Sequence, residues 1–90
     1  MQVIYKYLAN TPSDITILKL PIGSKILTVQ KQGQHVCFWV LQPSEEVPTM
    51  TVRILKVGTG HPFDDTREYK YIGTVQEWEG SLIWHYFEVR

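Results

Sequence analysis

His35-Val36-Cys37-Phe38-Trp39-Val40-Leu41 is the stretch on which the fold turns. After the histidine every residue is apolar, so an extended chain carries hydrophobic side chains on both faces, and the β-branched and aromatic content favours strand over helix. A central strand covered on two sides is expected, and it is the first choice for the core. Just before it, Gln32-Gly33 reads as a hairpin tip. Beyond that tip, Lys25 to Gln30 places Leu27 and Val29 on one face and Thr28 and Gln30 on the other. Pro21-Ile22-Gly23 makes the preceding turn, with strands from Ile15 to Leu20 and from Val3 to Leu8 before it. Ala9-Asn10-Thr11-Pro12 ends the first strand, because proline withholds a ladder donor and asparagine tolerates turn geometry.

In the other direction, Pro43-Ser44-Glu45-Glu46-Val47-Pro48 is a polar loop bracketed by prolines. Met50 to Val57 follows as a strand with Met50, Val52 and Ile54 on one face; Leu55 and Val57 lie on the Arg53 side, which suggests a bulge near Leu55. Tyr69 to Val75 and Ser81 to Val89 are the last strands, with Glu79-Gly80 near their turn. No 3.6-residue pattern persists, so helix amounts at most to a turn after Pro62. About seven short strands at this density predict an all-β domain: a compact antiparallel β-sandwich or partly open barrel, in two layers.

The ninety residues suit one domain spanning 1–90, and a chain so short leaves several of its eleven aromatics partly exposed or buried by another subunit, so a homo-oligomer is expected. Nine Lys and Arg balance nine Asp and Glu, which argues against general nucleic-acid binding and against an anionic membrane surface. The start lacks a basic segment followed by a long apolar one, and no apolar run is of bilayer-spanning length, so neither signal-peptide export nor membrane embedding is expected. Cys37 is the single cysteine, which excludes an intramolecular disulfide. Its apolar setting makes it a packed core thiol and fits a reducing cytoplasm.

Five ordered blocks carry a family resemblance over nearly the whole chain: Leu20-Pro21-Ile22-Gly23-Ser24-Lys25-Ile26-Leu27-Thr28-Val29-Gln30, the Trp39 strand, Val57-Gly58-Thr59-Gly60-His61-Pro62, Tyr71-Ile72-Gly73-Thr74-Val75-Gln76 and Trp84-His85-Tyr86-Phe87-Glu88. With them the chain resembles a small uncharacterised protein family widespread in bacteriophage and prophage genomes. The resemblance implies origin and size class and transfers no site residue. By analogy, small neutral phage proteins are commonly accessory factors that bind a host enzyme, a defence protein or a small signalling molecule in the bacterial cytoplasm.

The local feature richest in chemistry is Gly58-Thr59-Gly60-His61-Pro62-Phe63-Asp64-Asp65. Two glycines let the backbone approach a ligand and can turn amides toward an anion, with Thr59 and His61 as further donors. It matches neither a dinucleotide fingerprint nor a P-loop, and the plain alternative is a tight strand-exit turn. Trp84 and Tyr86 share a strand face near Trp78 and form a candidate stacking platform, against the alternative of ordinary core. Arg53 and Arg67 are candidate anion partners, although a solvated ion pair with the neighbouring aspartates is the ordinary role of Arg67.

Catalysis finds less support. His61, Asp64, Asp65 and His85 contain ligand-type side chains without paired metal spacing, and His85 shares parity with Ile83, Phe87 and Val89, as a half-buried histidine would. No serine stands in a Gly-x-Ser-x-Gly elbow, and choosing carboxylates among Glu77, Glu79 and Glu88 is arbitrary. The expectation is a non-enzymatic binding protein without a cofactor that sequesters a small anionic, nucleotide-like signal or inhibits a host protein. Its ligand-binding residues would be Gly58, Thr59, Gly60, His61, Arg53, Arg67, Trp84 and Tyr86. The alternatives are a metal-assisted hydrolase using His61, Asp64 and Asp65, and a virion or assembly component.

Overall fold

A computed structural model describes residues 1–9 and 13–90; the turn expected at Asn10-Thr11-Pro12 lies outside them. The strands are β1 (Gln2–Leu8), β2 (Ile15–Pro21), β3 (Lys25–Gln32), β4 (His35–Pro43), β5 (Thr49–Gly58), β6 (Tyr69–Glu77) and β7 (Leu82–Val89). All pairing is antiparallel, in a three-stranded sheet ordered β1-β4-β3 and a four-stranded sheet ordered β2-β5-β7-β6. The two sheets face each other as an open sandwich. No helix among the described residues is long and apolar enough to cross a membrane.

β4 lies in the interior of its sheet, as its apolar run requires. Phe38 and Val40 are fully buried, and Val29 from β3 joins them. They meet Leu18, Leu20, Val52, Ile54, Val75 and Tyr86 from the other sheet, with the Phe38 and Tyr86 rings edge to face at 5.6 Å. The outward face of β4 is covered less: Trp39 and Leu41 are half-buried while Cys37 is wholly buried. The Lys6 ammonium donates to Gln32 Oε1 at 2.6 Å, and the strand register carries this bond over Cys37. The hairpin tip lies at Gly33-Gln34, one residue beyond the expected Gln32-Gly33, with Gly33 at a φ of 61° in the first loop position, where two-residue turns favour glycine.

The sheets approach most closely where β3 crosses β6. A Cβ on Gly73 would stand 2.9 Å from Val29 Cγ1, so the missing side chain is what lets the backbones meet. Both strands are bulged nearby, between Ile26 and Thr28 and between Tyr71 and Gly73. The bulge expected near Leu55 is absent: β5 keeps an unbroken register against β2 and β7, and Val57 is buried on the outward face beside Pro62 and Phe63.

The chain after Pro62 forms no helical turn. Phe63 is drawn into ring contacts with Tyr69 and Phe87, and Asp64 closes a local turn with Thr66, so residues 61–68 run as an irregular strap. The 3₁₀ turn lies instead at Trp78–Gly80, joining β6 to β7, where Trp78 and Glu79 have left-handed φ values of 53° and 54°. Ser81 closes it by donating from its amide and hydroxyl to the Trp78 carbonyl.

Candidate functional site

Gly58 ends β5 opposite Trp84 on β7. A Cβ there would lie 3.0 Å from His61 Nδ1 and 3.3 Å from Trp84 Cζ3, so glycine allows His61 to fold back beside the indole. Gly60, at a φ of 83°, makes the reversal. The loop does not offer a run of free amides to an anion. The Thr59 amide donates to the Ile83 carbonyl at 3.4 Å and the His61 amide to the Gly58 carbonyl at 3.1 Å. The Gly60 amide has no acceptor among the described residues, and the other groups that can engage a ligand here are side chains.

Hydroxyls hold the loop to the sheet. Thr59 Oγ1 bonds His85 Nε2 at 2.7 Å, while Thr74 Oγ1 bonds His85 Nδ1 at 3.0 Å and the Tyr71 hydroxyl. His85 is thus a half-buried, fully engaged imidazole, in line with its strand parity. Further on, Asp64 Oδ1 accepts from the Thr66 amide and hydroxyl at 2.8 and 2.6 Å, and the Tyr69 hydroxyl donates to the Asp64 carbonyl. The Thr66 hydroxyl, then its amide, hold the Asp64 carboxyl below its ordinary pKa, and the Arg67 charge adds to this. The adjacent aspartate motif serves as a turn device.

Three adjoining hollows follow this strap. One, of about 280 Å³, includes Gly58, Thr59, His61 and Trp84; the next, of about 320 Å³, shares Gly58, His61 and Trp84 and adds Phe63 and Leu55. The third, of about 520 Å³, shares Phe63 and Leu55 and is bordered by both Arg53 and Arg67, with Tyr69 and Val89. Arg53 projects from the outward face of β5 and Arg67 from the strap. Neither forms an ion pair among the described residues. Six of the eight expected residues thus border one chain of hollows, with Gly60 at the turn between.

Tyr86 is elsewhere. It is 4% exposed and packs edge to face on Phe38, so the face it shares with Trp84 is the inward one and the ring is core, not a stacking surface. Burial first, then the Glu77 carboxylate, push its phenol up to about 12. An ordinary tyrosine ionises near 10, so the unfolded chain loses this proton first. Stability linked to Tyr86 is therefore complete below pH ~10 and lost as pH rises from ~10 through ~12. Urea unfolding across this window should show the decline, and Tyr86→Phe should remove that component; equal slopes in both proteins would count against it.

Trp84 bridges inward and outward surroundings: Lys56 Nζ sits 4.5 Å from its ring centroid and its Nε1 donates to Glu77 Oε2 at 3.0 Å. Lys56 and Phe63 are parts of the site that the sequence reading missed. The neighbour relation of β5 and β7 would have pointed to Lys56, since it stands opposite Tyr86 in that register. Trp78, expected near the platform, is 75% exposed on the β6–β7 turn. Among the described residues no group of three or more His, Cys, Asp or Glu side chains converges as metal ligands would, so His61, Asp64, Asp65 and His85 do not come together.

No curated protein and no solved structure matches this chain. The sequence model of one family, described as Domain of unknown function (DUF7352), matches residues 1–90, and the chain belongs to that family.

Proposed function

We propose that this is a non-enzymatic binding protein that takes a small anionic, nucleotide-like molecule into the groove running from Arg53 and Arg67 to Trp84. The observation that carries the reading is that two guanidinium groups, neither in an ion pair among the described residues, border the same hollow beside Phe63 and Tyr69, outnumbering its one carboxylate, Asp64, whose Oδ1 is engaged by Thr66. Arginine forks suit phosphate oxygens, and an aromatic wall suits a base. The adjoining hollows, at about 280, 320 and 520 Å³, are of the size that small ligands occupy. His61 and Trp84 would receive the end of the ligand away from the arginines.

On this reading the protein is a phage accessory factor in the bacterial cytoplasm that lowers the free concentration of a host signal by mass action, a counter-defence role. Exposed Ile4, Tyr5 and Leu8 on the edge strand β1 support self-association. A second reading, inhibition of a host protein, is favoured by Trp78, whose large ring is held in solvent by a left-handed backbone.

The test is native mass spectrometry of protein purified from bacterial cells, with titrations of AMP, cyclic di-AMP, adenosine and inorganic phosphate. A nucleotide-sized species at fixed stoichiometry is expected, with at least one nucleotide bound more tightly than adenosine or phosphate. Arg53→Ala and Arg67→Ala should each weaken that binding about tenfold, equivalent to ~1.4 kcal/mol. Release of no nucleotide, together with no binding by either nucleotide probe, would overturn sequestration. Capture of a host protein that is lost in Trp78→Ala would then support inhibition.

A further inference from the structure

A second cavity, of about 190 Å³, opens between the sheets at the end where β2 and β4 begin. Thr16, Lys56, Glu77 and Tyr86 line it from one sheet, and His35 and Val36 from the other. Thr16 and Tyr86 are 7% and 4% exposed, and neither hydroxyl has a hydrogen-bond partner among the described residues. Neither oxygen is sealed in protein, since no fully enclosed side-chain polar atom lacks a partner. Two nearly buried hydroxyls therefore depend on whatever fills this cavity for their hydrogen bonds.

The charged pair is arranged to the same effect. Lys56 and Glu77 line one cavity without forming an ion pair, and neither is ion-paired elsewhere among the described residues. Trp84 is the reason: its ring face holds the ammonium at 4.5 Å while its Nε1 donates to the carboxylate at 3.0 Å. One indole, used by face and by edge, keeps opposite charges apart. Each then retains capacity for a ligand group of the other sign. Tyr86 remains a neutral O–H donor throughout the physiological range.

We propose that this cavity binds a small zwitterion of α-amino acid size, its carboxylate received by Lys56 with the Thr16 and Tyr86 hydroxyls and its ammonium by Glu77. The volume is that of about six waters at ~30 Å³ each, which suits molecules of the glycine-to-serine class and is too small for a nucleotide. One cation and one anion in the wall select a net-neutral ligand carrying both charges. The cavity shares Lys56 and the Trp84 indole with the end of the outward groove, but not Arg53 or Arg67.

The test is titration of the ¹⁵N-labelled protein with glycine and L-serine, using acetate and methylammonium as single-charge controls, followed at the Trp84 indole N–H resonance. A saturable shift with a zwitterion and none with either control at the same concentration is expected. Lys56→Met and Glu77→Gln should each raise the Kd at least tenfold and Tyr86→Phe severalfold, in variants whose circular dichroism matches the parent. Arg53→Ala should leave the Kd unchanged, so this result is separate from the nucleotide titrations. No saturable shift with either zwitterion up to about 50 mM would mean a cavity holding water only and would overturn the proposal, as would an equal response to acetate. The comparison with single-charge ions uses the unaltered chain, so it stands even where a variant fails to fold.

Discussion

Phe38→Ala is expected to destabilise the protein by about 3–5 kcal/mol, the range for removing a large aromatic from a packed core. Phe38 is fully buried at the centre of β4, and its ring meets Tyr86 across the sheets at 5.6 Å, so truncation opens a cavity lined from both layers. The neighbours cannot easily close it, because Val40 on the same strand and Leu20 and Ile54 opposite are themselves buried in fixed register. A chain of ninety residues has a total stability of about 5–13 kcal/mol, so this one change removes a large share. Urea denaturation should show a much lower midpoint, with Phe38→Leu losing clearly less. A loss below about 1 kcal/mol for alanine would mean that the two sheets do not depend on this contact.

The second large effect is expected at Gly73, where the loss comes from added atoms. A Cβ there would stand 2.9 Å from Val29 Cγ1 and 3.7 Å from the Val29 carbonyl oxygen. Val29 is 3% exposed and β-branched, so its methyl has no free rotamer to retreat into and the crossing of β3 over β6 must widen. Gly73→Val should destabilise by about 3 kcal/mol, at the upper end for overpacking, although valine suits a strand better than glycine. A double-mutant cycle with Val29→Ala checks the cause: the loss from Gly73→Ala should shrink when Val29 is truncated. Equal losses in both backgrounds would place the strain elsewhere.

The strands were legible because apolar alternation is broken at almost every joint by Gly, Pro or Asn, and residues 35–41 could be read as interior because both parities are apolar. Strand order was not legible. β1 pairs with β4 and β2 with β5, and no local pattern states such long-range choices. Strand order also decides which side chains form the site. Trp84 and Tyr86 were correctly placed on one face, but parity alone does not say which face looks inward, and Tyr86 proved to be core. Arg53 and Arg67 stand out in the sequence only singly, by their charge; their meeting at one hollow needs Phe63 to pin the strap onto the β7 and β6 aromatics. Lys56 escaped notice because its role depends on the indole of a strand nearly thirty residues on.

The order β2-β5-β7-β6 also governs when the molecule can assemble during translation. β7 is the latest strand in the sequence, yet it lies inside its sheet, between β5 and β6. Until the ribosome has made residues 82–89, β6 has no neighbour in its own sheet and β5 has only β2. The smaller sheet can be completed once residue 43 has emerged, but its apolar face then waits for most of its partner. Phe38 and Val40 are therefore made before most of the strands that cover them, the kind of transiently uncovered apolar surface that makes an incomplete chain prone to aggregation.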